Sequence, residues 1–289
     1  MPHSPAWHDR QYNARAAIPD AADILQGWTR QSAAVRERAR CVLDLPYSDR
    51  GAADPAERLD VFLPDEPGSA PAPVLVHIHG GYWRALDKRD QSFVAAPFTA
   101  AGAMVVVPNY ALCPQVRIAD IVMQMVQALA WVWRHAAEHG GDPHRIVVTG
   151  HSAGGHLAAM TLACRWNAFA ADLPADLVRS AVAVSGLFDL EPLRHAPFLA
   201  PDIRLDAAEA RRLSPAAMPA PASGRLLAFV GEQESAEFHR QGRLIRRAWG
   251  RRVVPVCEDV PGCHHMSVLH ALADPATRLH RAVRDELGT

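Results

Sequence analysis

Between Arg145 and Met160 the chain passes from a short apolar run, through Gly150-His151-Ser152-Ala153-Gly154, into an Ala- and Leu-rich stretch. Strand, then G-x-S-x-G, then helix is the order that lifts a serine clear of a sheet on a sharp turn. It constrains the fold more than any other stretch, because the turn needs a buried strand before it and a helix after it. A serine hydroxyl is a weak nucleophile, so it requires a base held against it and dipoles that accept oxyanion charge. The turn supplies the dipoles by aiming the first N–H groups of the helix at a reacting carbonyl. Gly150 and Gly154 suit the tightest part of such a turn, where a side chain would collide.

The remaining chain can be arranged around that strand. Apolar segments at Val74–His79, Met104–Val107, Ile146–Thr149, Ala181–Val184, Leu226–Val230 and Val253–Cys257 predict strands. Between and after them, helical spacing predicts helices over Asp87–Ala101, Ile118–His139, Ala153–Cys164, Glu237–Ala248, Met266–Ala273 and Ala276–Glu286. Near-continuous apolar strands alternating with helices imply a mostly parallel sheet covered on both faces. Upstream, Cys41 to Leu45 and Leu59 to Leu63 alternate like strands around the turn signal Ser48-Asp49-Arg50-Gly51, which predicts an antiparallel pair. The expectation is therefore one α/β domain, 1–289, with a sheet of about eight strands. An N-terminal arm takes up about 1–40: residues 1–20 read as irregular, and 21–40 as a helix capped by Asp20 with Ile24, Leu25, Trp28 and Val35 on one face. Residues 185–224, rich in proline, read as a small cap above the strand ends, where ligands bind in open α/β sheets.

Composition narrows the partners. Formal net charge is −1 and the arginine pairs are dispersed, so no nucleic-acid or membrane partner is expected. A small-molecule substrate is expected instead, and a homodimer is compatible with the sequence. The five cysteines contain no C-x-x-C, and no apolar run is long enough to span a bilayer. Met1 to Arg10 lacks the apolar core of a signal peptide, so a soluble cytoplasmic protein is expected.

Three further segments complete a catalytic set. His79-Gly80-Gly81-Tyr82-Trp83 follows a predicted strand about seventy residues before the serine, where a loop amide can join that of Ala153 in an oxyanion hole. His77 and His79 form an H-x-H pair, but further metal ligands at matching spacing do not follow, so no metal or other cofactor is expected. His77 reads as a packed strand histidine and His79 as a scaffold for the loop. The base should lie after the last strand, where His264 and His265 stand side by side. The acid should follow the preceding strand, where Glu232, Glu234 and Glu237 are available; helix N-terminal charge accounts for Glu237.

The segments HGGYW (His79–Trp83), GHSAGGHLAAM (Gly150–Met160), SGLFDLEPL (Ser185–Leu193) and ESAEFHRQ (Glu234–Gln241) resemble the serine-type kynurenine formamidases, or arylformamidases, of the α/β-hydrolase fold. LPYSD (Leu45–Asp49) and LDVFLP (Leu59–Pro64) are similar too, so the resemblance spans nearly the whole chain. It implies the family's acid at Glu234, where the family has Asp, and its base at His265, followed by Met266 in place of an aromatic residue. It also implies hydrolysis of N-formyl-kynurenine to formate and kynurenine. On this reading Ser152, Glu234 and His265 are catalytic, and Gly80, Gly81 and Ala153 form the oxyanion hole. Tyr82, Trp83 and Phe188 read as ring contacts for the substrate or as core packing. A short-chain carboxylesterase would share every catalytic piece, and a non-catalytic binding module is a third reading of the fold.

Overall fold

The computed structural model describes residues 3–289. Eight strands form one sheet: β1 (Cys41–Pro46), β2 (Arg58–Phe62), β3 (Ala72–Ile78), β4 (Met104–Pro108), β5 (Gly141–His151), β6 (Ser180–Val184), β7 (Arg225–Gly231) and β8 (Cys257–Val260). Their order is β1-β2-β4-β3-β5-β6-β7-β8. β1 and β2 pair antiparallel, β2 runs antiparallel to β4, and every other pairing is parallel.

Period-two burial explains why the central strands are apolar throughout. On β3, Val74, Val76 and Ile78 face one hydrophobic layer and Leu75 the other; on β4, Val106 faces the first layer and Val105 and Val107 the second. Helix Ile118–His135 covers the first layer through Ile121, Met125 and Leu129. Trp28 of the N-terminal arm and Leu279 and Val283 of the terminal helix Arg278–Leu287 cover the second. Each fully buried side chain of this size contributes about 1.5–3 kcal/mol of transfer free energy.

Three local expectations need correction. Residues 1–20 are not irregular throughout, for Pro5–Tyr12 form a helix, α1, with Pro5 at its first position and the Ser4 hydroxyl accepting from the Trp7 amide at 3.2 Å. The predicted strand Val253–Cys257 begins four residues before the observed one, Cys257–Val260. Val253 closes the helix Ala236–Val253, and pairing to β7 begins only at Cys257. Val253 and Val254 are apolar because they are buried in the core, whereas β8 is an edge strand whose Glu258 and Asp259 face solvent. The predicted helix Asp87–Ala101 is broken into Lys88–Gln91, a 3₁₀ turn and Ala95–Thr99. Asp87 and Asp90 cap the first piece reciprocally, each accepting from the other's turn. The arm's second helix, α2 (Ala21–Arg38), forms as expected, though the Asp20 side chain makes no capping bond.

Candidate active site

The G-x-S-x-G segment sits at the carboxyl end of β5. Ser152 has φ 57° and ψ −116°, and the helix Ala153–Leu162 starts at the next residue. A non-glycine residue at positive φ stores on the order of 1–3 kcal/mol and persists only where its surroundings enforce it. Here the Ser152 amide donates to the Val184 carbonyl at 2.8 Å. Both glycines are required by crowding: a Cβ on Gly150 would strike the Gly154 carbonyl, and one on Gly154 would strike the carbonyl of Ile78.

The loop after β7 brings in a carboxylate and the loop after β8 a histidine. His265 Nδ1 donates to Glu234 Oε2 at 2.6 Å, and the Glu234 side chain is fully buried. The other carboxylate oxygen accepts from the Gly231 amide at 2.8 Å and from the Ser185 hydroxyl. Both oxygens are thus engaged, which fixes the glutamate arm in place. The bond to Nδ1 fixes the imidazole tautomer and leaves the Nε2 lone pair available. The competing neighbours are occupied elsewhere. Glu232 accepts from the Gly262 amide at 2.7 Å, and His264 Nδ1 accepts from the amides of Met266 and Ser267 at 3.2 Å each. Glu237 lies in the first turn of its helix, as expected, and there also accepts from Tyr12 and Arg240.

The glycine loop after β3 presses against the serine. A Cβ at Gly80 would lie 2.8 Å from the His151 carbonyl and 3.3 Å from Ser152 Cβ. Gly81 has φ 103°, and Tyr82 and Trp83 are also at positive φ, so the loop folds tightly back on itself. Tyr110 holds it from beneath: its ring stacks on His79 with centroids 4.1 Å apart, and its hydroxyl donates to the carbonyls of His79 at 2.9 Å and Gly80 at 3.1 Å. His77 is a packed strand histidine, bonded to Thr149 at 3.0 Å and Gln91 at 3.1 Å. Burial drives its pKa down to about 4.

Ser152, His265, Gly81 and Tyr82 share a cavity of about 140 Å³. Its roof is unexpected: Asn13, Ala14, Arg15, Leu25 and Trp28 all come from the N-terminal arm, and of residues 185–224 only Phe198 lines it. Met266 lines it as well. Trp83 and Phe188, the other two aromatic residues singled out in the sequence, are fully buried in the core instead, Trp83 edge-on to His156 with centroids 5.0 Å apart. The arm is docked by polar contacts. Tyr12 donates to Glu237 at 2.5 Å, Ser235 donates to the Gln11 carbonyl at 2.5 Å, and the Phe198 amide donates to Asp9 at 3.2 Å. Burial keeps the Tyr82 hydroxyl protonated well beyond its usual range, and it donates to the Tyr12 carbonyl at 2.6 Å.

Two contributors escaped sequence reasoning. Ser185 opens the SGLFDLEPL segment, and its hydroxyl role depends on a positive φ of 53° that the sequence does not announce. His151 donates from Nε2 to the His265 carbonyl at 2.7 Å, while its buried Nδ1 has no partner. Burial, reinforced by the neighbouring His265, holds His151 neutral, far below the usual histidine range.

A mostly parallel sheet with a serine elbow after its central strand β5, and a carboxylate and a histidine on the loops after β7 and β8, defines an α/β-hydrolase that works as a serine-dependent hydrolase. The BD-FAE family matches residues 59–193. The kynurenine formamidase of Danio rerio is 30% identical over 264 residues, 88% of this chain and 86% of the relative. A solved structure from Silicibacter sp. TM1040, described as a candidate thioesterase, is 32% identical with a TM-score of 0.79, covering 94% of this chain and 96% of that one. Esterase LipQ of Mycobacterium tuberculosis is 35% identical over 127 residues, 43% of this chain and 30% of that protein. This chain belongs to the kynurenine formamidase family. Among the described residues, no helix is long and apolar enough to cross a membrane.

Proposed function

We propose that this enzyme hydrolyses an aryl formamide, N-formyl-kynurenine, to formate and kynurenine through a formyl-enzyme. The observation that carries the proposal is the likeness to the Danio rerio kynurenine formamidase over 88% of this chain and 86% of that relative. The 2.6 Å bond from His265 to a buried Glu234, beside the cavity that Ser152 lines, supplies the hydrolytic machinery. In this reading Ser152 Oγ attacks the formyl carbon while His265 Nε2 takes its proton. Glu234 holds the ring and stabilises the imidazolium. The amides of Ala153 and of Gly80 or Gly81 receive the oxyanion. His265 then protonates the aryl nitrogen, the C–N bond breaks, and the arylamine leaves. Water attacks the formyl ester with His265 again as base, releasing formate and restoring Ser152.

A formyl group suits a confined acyl site, and the aryl ring withdraws the nitrogen lone pair that would otherwise damp the carbonyl's electrophilicity. Tyr82, Phe198 and Trp28 are the rings available to the aryl portion. The match to an esterase over 43% of the chain favours a second reading, hydrolysis of short acyl esters. Comparing kcat/KM on N-formyl-kynurenine with that on p-nitrophenyl acetate and butyrate separates the two. A formamide value at or above the ester values supports the proposal, and hydrolysis of esters alone replaces it with the second reading.

A further inference from the structure

The walls of the active-site cavity carry an unbalanced charge. Two arginines, Arg15 and Arg84, line it, and no aspartate or glutamate does. Arg84 is already matched: it pairs with Asp202, donates to the Phe198 carbonyl at 2.8 Å, and lies 5.5 Å from the centre of the Phe198 ring. Arg15 is not. Among the described residues its guanidinium makes neither an ion pair nor a hydrogen bond, and its side chain is exposed at the roof. Its backbone is nonetheless ordered. It lies in the 3₁₀ turn Ala14–Ala17, where the Asn13 side chain accepts from the Ala16 amide at 3.3 Å and the Ile18 amide bonds back to the Arg15 carbonyl at 3.4 Å. Ile18 itself is buried against the core. The stem is therefore anchored while the charged head is free to meet a ligand. The remaining titratable groups of the wall do not cancel it, since His151 is neutral and His265 is bonded to Glu234.

We propose that Arg15 is a specificity-determining residue: it binds a carboxylate at the non-reacting end of the substrate, so the site selects aryl acyl compounds that carry a carboxylate there over those that lack one. A guanidinium offers a planar fork of donors that matches a carboxylate in bidentate fashion. Placed at the mouth, it also draws anions toward the cavity and so acts on capture as well as on residence. The proposal rests on the hydrolase reading of the site and extends it to the far end of the substrate.

The test uses two matched pairs on the full-length enzyme. The formamide pair is N-formyl-kynurenine, a zwitterion, and its decarboxylated analogue N-formyl-kynuramine, a cation; the ester pair is anionic 3-(4-acetoxyphenyl)propanoate and neutral 4-propylphenyl acetate. The readout is the ratio of kcat/KM for the carboxylate-bearing member to that for its partner. The wild type should favour the carboxylate, and raising NaCl from about 20 to about 300 mM should lower its ratio through screening. Arg15→Gln should reduce the ratio about tenfold or more, chiefly through KM, and remove most of the salt dependence. Arg15→Glu should lower it further, and Arg15→Lys should retain part of it. A ratio unchanged in Arg15→Gln, or a wild type that prefers the member without the carboxylate, overturns the proposal. If both formamides are inert while the esters turn over, the formamidase reading fails, and the ester ratio still decides the role of Arg15.

Discussion

On the floor of the cavity, backbone presses on backbone: the carbonyls of Ile78, His79, His151 and Gly154 occupy the space that side chains at Gly80, Gly150 and Gly154 would need. On the roof, the N-terminal arm is held across the cavity by separate side-chain hydrogen bonds, from Tyr12 to Glu237, from Ser235 to Gln11, and from the Phe198 amide to Asp9. Crowding tolerates almost no displacement, whereas individual polar contacts can be broken one at a time. The floor is thus suited to hold reacting atoms in register, and the roof to choose what enters. Changes to the floor should therefore act on kcat or on folding, and changes to the roof on KM.

The largest effect should come from the proposed reacting groups. Ser152→Ala and His265→Ala should each remove nearly all activity, at least about 10³-fold in kcat, with the double variant scarcely worse because the two act as a unit. Glu234→Gln should lower kcat by about 10²–10⁴-fold, since a neutral amide cannot stabilise the imidazolium. Losses that add up in the double variant would break the idea of a single proton path.

Next comes crowding itself. Gly154→Ala should destabilise the fold by about 3 kcal/mol, because the new methyl meets fixed carbonyls with no flexible neighbour to yield. Urea midpoints read this directly, and an unchanged midpoint would mean that the floor is more pliant than its contacts imply.

Acid should weaken the floor in a defined window. Burial holds both His77 and His156 at about 4 in the folded protein, against an ordinary 6.5. The unfolded chain therefore binds protons below pH 6.5 that the folded one refuses. The stability these neutral rings contribute is complete above pH 6.5 and is lost as pH falls through 4, on the order of 3 kcal/mol each at the limit. Urea midpoints measured between pH 7 and pH 4 should fall, and His156→Asn should flatten the slope. A slope identical in that variant would exclude His156 as a source.

The roof should respond more mildly. Tyr12→Phe removes the phenol's bond to Glu237 but leaves Arg240 against that carboxylate at 2.9 Å. About 1 kcal/mol of docking is at stake, so KM should rise up to about tenfold while kcat changes little. A fall in kcat alone would mean that the arm aligns the reacting groups. Smallest of all, Glu232→Gln and His264→Ala remove only loop bonds next to the proposed acid and base. Their kcat should stay within about tenfold of the wild type, and a dead His264→Ala enzyme would move the base by one residue.

The same contrast governs what could be read from the sequence. The floor was legible because its demands are local: glycines at fixed offsets, a serine between strand and helix, and apolar runs on both sides. The resemblance also singled out Glu234 and His265 from their neighbours, and these are the two that the fold joins by a hydrogen bond. The roof was not legible. Trp28 shows helical spacing like any core residue, and nothing in that spacing says that the helix packs over a site more than a hundred residues further on. For the same reason Trp83 and Phe188 could not be told from Tyr82 and Phe198, since aromatic character marks burial without saying against what. β8 was misplaced because an edge strand carries charge on its open face, while the neighbouring apolar pair Val253-Val254 closes a helix.

The bond from His151 to the His265 carbonyl changes the mechanical path between the proposed nucleophile and base. Through the sheet, that path crosses three strand interfaces, from β5 to β6, β7 and β8. Each crossing spans about 4.8 Å and adds roughly 20° of twist, so bending at the exposed edge would be magnified where His265 sits. His151 adjoins Ser152 and grips the backbone of His265 directly at 2.7 Å, acting as a tie-rod across that span. The open edge of the sheet can then flex without spreading the two groups apart, and β8 can remain short, polar and solvent-facing.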